Sequence, residues 1–186
     1  MLAPSLKSSR IALVGLPGSG KTTVGRHLAR RLNARFIDSD QVIEQQVGCS
    51  IRSYFASNGE VAFRKVEASA IDALTLNSGN ADSEVFTDIL STGGGAVLLE
   101  SNRLHLHSRT HVIYLHASVD DLAQRLRYDQ HRPLLQVADP KAKIAELYAQ
   151  RDSLYRQTAH WVVDTGKSSV HALVHDLVTR LLTAKI

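Results

Sequence analysis

Gly15-Leu16-Pro17-Gly18-Ser19-Gly20-Lys21-Thr22 carries the spacing G-x-x-x-x-G-K-[ST] of a phosphate-binding loop. Glycines at these positions let the backbone turn successive N–H groups inward around a phosphate. The lysine can reach the β- and γ-phosphates, and the Thr22 hydroxyl can ligate Mg²⁺. The flanks supply the setting such a loop requires. Arg10-Ile11-Ala12-Leu13-Val14 is a short β-rich run directly before it, and Val24, Leu28 and Leu32 recur behind it at helical spacing. Strand, glycine-rich loop and helix in succession place the partial positive charge of a helix N-terminus beside the phosphate. Nucleotide contacts are therefore expected from Gly18, Ser19, Gly20, Lys21, Thr22 and Thr23. A plain Gly/Ser turn would need neither Lys21 nor Thr22.

Outward from the loop, short apolar runs alternate with helical patterns. The strand candidates are Ile11–Val14, Arg35–Ile37, Asp88–Ser91, Val112–Leu115 and Trp161–Val163, mostly apolar, as strands buried on both faces should be. Val170, Leu173, Val174, Leu177, Val178, Leu181 and Leu182 form the apolar stripe of a final helix. Ser118 reads as a helix cap with Asp120 and Asp121 in the first turn, and Asp139-Pro140 as another start with proline at the first helical position. This alternation implies an α/β fold, a parallel sheet with helices on both faces and ligands at the carboxyl ends of the strands. Two stretches are less regular: the polar loop Asn77–Glu84, and Tyr128–Val137, which carries an Arg-Pro pair.

With 186 residues the chain reads as one domain, 1–186, with Met1 to Ser9 a frayed tail. Apolar residues make up 44% and charged residues 22%, within the globular range, and no segment approaches a membrane span or a signal peptide. Net charge is +4, yet no basic run or aromatic pattern suits nucleic acid, so neither a nucleic acid nor a membrane is expected as partner. The excess of Arg over Lys, 15 to 7, suits phosphate and carboxylate ligands. Cys49, the single cysteine, reads as a small packed apolar residue in a reducing cytosol. Among nine histidines, His171 and His175 share a helix face and His105, His107 and His111 cluster loosely. With no cysteine ligands beside them they read as surface or helix-end residues, not a zinc site.

The chemistry-bearing residues follow strand candidates. Phe36-Ile37-Asp38-Ser39-Asp40 ends the second, and in an extended segment its two carboxylates point to one side. One can organise Mg²⁺ and the other accept a proton from an attacking hydroxyl; the plainer alternative is Asp40 capping a helix Gln41–Val47. Gly93-Gly94-Gly95 follows the third strand and permits close approach of backbone to ligand. Arg64 lies on a helical stretch whose apolar stripe is Phe63, Val66, Ala70, Ala73 and Leu74; an i,i+3 pair with Glu67 is the alternative use of its charge. Arg132, before Pro133, is biased to extended backbone and cannot easily sit inside a helix.

This ordered set resembles the shikimate kinase family: the loop Gly15–Thr22, Asp38 and Asp40, Phe63-Arg64-Lys65-Val66-Glu67, Gly93-Gly94-Gly95-Ala96-Val97, Arg132-Pro133-Leu134-Leu135, and Arg151-Asp152-Ser153-Leu154-Tyr155. The likeness runs from about Ile11 to Leu182. It implies a nucleoside-monophosphate-kinase-like three-layer sandwich, a P-loop kinase with a five-stranded parallel sheet flanked by helices and a lid segment over about 128–137. It implies transfer of the γ-phosphoryl of ATP to the 3-hydroxyl of shikimate, a step of the chorismate and aromatic amino acid pathway. By the same resemblance Asp38 holds Mg²⁺ with Thr22, Asp40 binds the acceptor hydroxyl as general base, and Arg64 and Arg151 bind the shikimate carboxylate. Gly93, Gly94 and Gly95 lie against the ring, Lys21 and Arg132 act on the phosphates, and Phe55, Phe63, Ile51, Pro133 and Leu134 fall at pocket positions.

Two departures stand out. Ser39 occupies a position where threonine is common. Asp164-Thr165-Gly166-Lys167-Ser168 departs from the adenine-binding pattern, leaving Arg125 as the cation for the base. The expectation is a monomeric cytoplasmic enzyme using ATP, shikimate and Mg²⁺. The rivals are a kinase of another hydroxy acid such as gluconate, disfavoured by the paired arginines and triglycine, and a non-catalytic ligand-sensing domain, which should lack Lys21, Asp40 or Arg132.

Overall fold

The computed structural model describes residues 8–76, 86–127, 139–166 and 168–184. The strands are β1 (Arg10–Val14), β2 (Arg35–Asp38), β3 (Asp88–Ser91), β4 (His111–His116) and β5 (Trp161–Asp164). They form one sheet in the order β2-β3-β1-β4-β5, and every pairing is parallel. The helices are α1 (Lys21–Leu32), α2 (Ser39–Val47), α3 (Ile51–Leu76), α4 (Glu100–Arg109), α5 (Val119–Leu126), α6 (Pro140–Thr158) and α7 (Val170–Thr183). This is the three-layer α/β sandwich that the alternating pattern predicts. The lid stretch 128–137, with Arg132, Pro133 and Leu134, and the loop 77–84 lie outside the described residues.

The period-two geometry of a strand sorts the core onto the two faces. Ala12, Val14, Leu90, Val112 and Tyr114 pack with Ile71, Leu106, Leu147 and Tyr155. Ile11, Leu13, Ile89, Ile113 and Leu115 pack with Val24, Leu28, Leu173, Leu177 and Leu181. The final helix thus buries the stripe its spacing predicts, Leu182 excepted, which is half exposed. A third cluster, Ile43, Phe63 and Ala70 with Ile51 and Phe55 against it, joins α2 to α3.

Caps set the helix starts. Ser118 accepts a hydrogen bond from the Asp121 N–H, and Asp139 from the Ala142 N–H, with Pro140 at the first helical position. Helix α3 is broken at Gly59, where φ is 77° and ψ 174°, a region open in practice to glycine alone. The chain therefore changes direction one residue before Glu60, and a second helical run carries Phe63 and Arg64.

Three details differ from expectation. Ser8 and Ser9 do not fray, because both are buried and the Thr87 N–H donates to the Ser9 carbonyl. Cys49 is exposed, because Gly48 ends α2 in the left-handed conformation and leaves the cysteine in the connection to α3. On α3, Ala73 is exposed while Glu67 occupies the buried stripe.

At the opposite end of the sheet from the phosphate loop, Asp88 is buried between two arginines. Arg10 Nη2 lies 2.6 Å from one carboxylate oxygen and Arg35 Nη2 2.7 Å from the other. Burial pushes the Asp88 carboxyl up, but the hydrogen bonds from Arg35 and Arg10 outweigh it and hold the group below the ordinary range. The two ion pairs fix the starts of β1, β3 and β2 side by side.

His111 is buried on β4, not a surface residue, and neither ring nitrogen has a hydrogen-bond partner among the described residues. Its ring stacks on His160 at 5.1 Å and meets the Trp161 edge at 4.5 Å. Burial, and then the charge of His160, push it down to about 4. An unfolded histidine titrates near pH 6.5, so between about pH 6.5 and 4 the unfolded chain takes up a proton that the folded chain refuses. This contribution to stability is fully present above pH ~6.5 and falls as pH drops. Urea unfolding should show His111→Phe losing about 2–3 kcal/mol less than wild type between pH 7 and pH 4.5. Equal losses would contradict a neutral buried imidazole.

Candidate active site

The register places three loop starts side by side. Leu13 of β1 lies opposite Ser91 of β3, and Ser91 opposite Asp38 of β2. The phosphate loop, the triglycine and the start of α2 therefore leave adjacent carboxyl ends, where the strand order reverses about β1.

The loop is preformed. Gly15, Gly18 and Gly20 all have positive φ, and Gly20 serves as N-cap of α1. Lys21 is buried, with Nζ donating to the carbonyls of Gly15 at 2.8 Å and Leu16 at 3.0 Å. Ser19 Oγ is buried with no hydrogen-bond partner among the described residues. Thr22 and Thr23 are exposed at the mouth of the loop.

Asp38 and Asp40 do not leave an extended segment as i,i+2 neighbours. The chain turns into α2 at Ser39, and the cap is Asp38, whose Oδ1 accepts from the Asp40 N–H at 3.1 Å. The turn gives each carboxylate its own direction. Asp38 Oδ2 accepts from the Thr22 hydroxyl at 3.3 Å. Asp40 faces the triglycine instead: a Cβ on Gly93 would come within 2.5 Å of its Oδ1. Ser39, between them, is fully buried, and its Oγ accepts from the Gly93 N–H at 2.9 Å. A threonine would keep that hydroxyl, so the serine is a mild departure.

Helix α3 brings Arg64 against the same turn, where a side chain on Gly95 would overlap the guanidinium. Arg64 Nη1 donates to Glu67 Oε2 at 2.6 Å, so the i,i+3 pair read in the sequence forms and coexists with a place in the site. Helix α6 brings Arg151, whose Nη1 donates to the Gly94 carbonyl at 3.2 Å. Arg151 is 7% exposed, its Nε has no hydrogen-bond partner, and no carboxylate lies within ion-pair distance among the described residues. The charges of Glu67 and Glu146 reach it from farther off, and a buried guanidinium gains further from an anionic ligand in direct contact. Arg125, from α5, donates to the Thr165 hydroxyl at 3.0 Å and its carbonyl at 2.6 Å, and reaches the Gly18 carbonyl at 3.5 Å. It thus joins the phosphate loop to the segment after β5.

Two residues that sequence reasoning named only in passing, Tyr155 within a motif and Glu67 as a helix partner of Arg64, belong to the site. Tyr155, fully buried on α6, donates its hydroxyl to the Gly94 carbonyl at 2.6 Å and stacks on Tyr114. Glu67, 2% exposed, pairs with Arg64 and feels the charges of Asp40 and Arg151 as well. An acidic residue on an otherwise apolar helix stripe is the signal that could have found it. Among the described residues no group of three His, Cys, Asp or Glu side chains could hold a metal.

A nucleotide loop on one strand end, facing a pocket of carboxylates, arginines and bare backbone on its neighbours, defines a P-loop kinase of a small anionic acceptor. The sequence matches the family described as shikimate kinase over residues 17–182. A shikimate kinase of Paracidovorax citrulli (strain AAC00-1) is 49% identical over 178 residues, covering 95% of this chain and 93% of its own. A shikimate kinase from Acinetobacter baumannii, solved in complex with shikimate, superposes with a TM-score of 0.86 at 40% identity, covering 95% of this chain and 94% of its own. A gluconokinase from Sinorhizobium meliloti 1021, at 15% identity and a TM-score of 0.50, shares the fold alone. The chain belongs to the shikimate kinase family.

Burial pushes the Glu67 carboxyl above the ordinary carboxylate range; Arg64 draws it down and Asp40 pushes it up again. A raised pKa in the folded state means that the ionised form opposes folding at neutral pH, and that this opposition fades as the group protonates. Glu67→Gln should therefore melt at the same temperature or higher at pH 7, with the difference shrinking toward acid pH. A melting temperature several degrees below wild type at pH 7 would contradict this balance of charges.

Proposed function

We infer that the chain is a shikimate kinase in activity as well as in family, transferring the γ-phosphoryl of ATP to the 3-hydroxyl of shikimate. The observation that carries the acceptor side is the pairing of Arg64 and Arg151, from different helices, around one triglycine turn. Shikimate offers one carboxylate and three hydroxyls, and a planar guanidinium fork suits the carboxylate. Arg151 in particular is buried, donates to the Gly94 carbonyl, and has no carboxylate within ion-pair distance among the described residues.

In this reading Gly18, Ser19, Gly20, Lys21, Thr22 and Thr23 cradle the ATP phosphates, and Arg125 borders the base. The Thr22 hydroxyl and the Asp38 carboxylate are hard oxygen donors, suited to Mg²⁺. Magnesium held there would neutralise phosphate charge. Asp40 orients the acceptor hydroxyl and takes its proton as phosphoryl transfer proceeds. Its place against the bare Gly93 backbone sets its carboxylate at the triglycine turn, against which the acceptor ring would lie. Arg132, outside the described residues, is assigned to charge stabilisation from the lid by the family resemblance of Arg132-Pro133-Leu134-Leu135. All the assigned residues belong to one chain, and we take the enzyme to be a monomer. Among the described residues no helix is long and apolar enough to cross a membrane, and we place the enzyme in the cytosol.

The test is an ATP-dependent assay with shikimate and, beside it, gluconate. Shikimate should be phosphorylated and gluconate not; the reverse would transfer the chain to the rival hydroxy-acid reading. Asp40→Asn should lower kcat by about 10²–10⁴-fold with ATP binding retained, the span general-base catalysis supplies. Wild-type turnover in that variant would remove Asp40 from the base role. Arg64→Lys should raise the KM for shikimate, because a point donor cannot replace a fork. An unchanged KM would take Arg64 out of the carboxylate site.

A further inference from the structure

Arg64 is held on two edges by two glutamates of very different character. Its Nη1 donates to Glu67 at 2.6 Å, and Glu67 is 2% exposed. Its Nε and Nη2 both point to a single oxygen of Glu60, Oε1, at 3.3 and 3.2 Å. Glu60 is 63% exposed. The Nε/Nη2 edge is a pair of parallel donors, the geometry that takes both oxygens of a carboxylate at once. Glu60 offers it one oxygen at distances beyond the 2.7–2.9 Å of a good charge-assisted bond. The buried contact is the anchor, and the exposed contact is the one that can be exchanged.

Glu60 owes its position to Gly59. The φ of 77° there ends the first run of α3 and starts the second at Glu60, four residues before Arg64 and so on the same helix face. Gly59 itself has open space around it, and a Cβ there would meet nothing within 4 Å. The kink is thus a conformational requirement and not a packing one, and what it delivers to the site is the Glu60 carboxylate.

We propose that Glu60 is an internal competitor for the acceptor's carboxylate: it occupies the Nε/Nη2 edge of Arg64 until shikimate displaces it, while Glu67 keeps the guanidinium in place. This rests on the reading of Arg64 as a carboxylate ligand. It makes Glu60 a specificity-determining residue acting through Arg64. An acceptor with a carboxylate able to bridge both donors replaces Glu60 with a better partner, whereas an acceptor without one gains nothing by displacing it. Affinity for the true acceptor is set lower than Arg64 alone would give.

The test compares wild type, Glu60→Gln, Arg64→Ala and the double variant in steady-state kinetics, with calorimetric titration of shikimate. Glu60→Gln should lower the KM and Kd for shikimate about two- to fivefold, equivalent to about 0.4–1 kcal/mol, the range of an exposed ion pair. Its kcat and its KM for ATP should stay within twofold, a split that a folding defect would not produce. In the Arg64→Ala background the same change should have no effect on KM. If Glu60→Gln leaves KM unchanged or raises it while Arg64→Ala raises KM, the competitor role is overturned and the acceptor reading stands. If Arg64→Ala has wild-type KM, both fall together.

Discussion

Everything in the site hangs on three residues without side chains. Gly93 gives its N–H to Ser39 and lies so close to Asp40 that a Cβ would come within 2.5 Å of the carboxylate. The Gly94 carbonyl receives Arg151 and Tyr155, and a Cβ on Gly94 would press on Pro17 of the phosphate loop at 3.0 Å. Gly95 is covered by the Arg64 guanidinium. One turn after β3 therefore touches the phosphate loop, the start of α2, the second run of α3 and the middle of α6. Any side chain there would push apart the groups that must meet. The Asp88 ion pairs secure the other ends of β1, β2 and β3, so this turn is aimed by strands held at both ends.

The same turn explains how the site keeps its charges in order. Lys21 rests on two carbonyls of its own loop, Arg151 on the Gly94 carbonyl, and Arg64 on two glutamates. Each cation is held in place before ligand arrives, and preorganisation of this kind reduces the side-chain ordering that binding must otherwise impose. The buried Glu67 belongs to the same economy. Its ionised form is disfavoured by burial, yet it fixes the one guanidinium that faces Gly95.

The frame of the fold was legible because its signals are local. Buried parallel strands read as short apolar runs, α7 as a seven-residue stripe, and Ser118 and Asp139 as caps, and each stands where those patterns put it. The phosphate loop was legible for the same reason, a contiguous motif between a strand and a helix. What the sequence concealed are groups whose meaning depends on partners far along the chain. Asp38, not Asp40, caps α2, a choice made by the point at which β2 ends. Ser39 and Tyr155 matter only because Gly93 and Gly94 lie across from them. His111 looked like surface until Trp161 and His160 closed over it, and Cys49 looked like core until Gly48 turned it out. Arg64 carried two readings, structural pair and ligand arm, and the geometry accommodates both at once.

The central claim is that Arg64 and Arg151, brought together by the triglycine turn, grip one carboxylate. A double-mutant cycle on shikimate binding, with Arg64→Ala, Arg151→Ala and both, measures this by calorimetry. Two arginines on one anion should be coupled by about 0.5–3 kcal/mol, so that the second truncation costs measurably less or more than it does alone. Strictly additive losses, or a loss confined to one of the two, would contradict it.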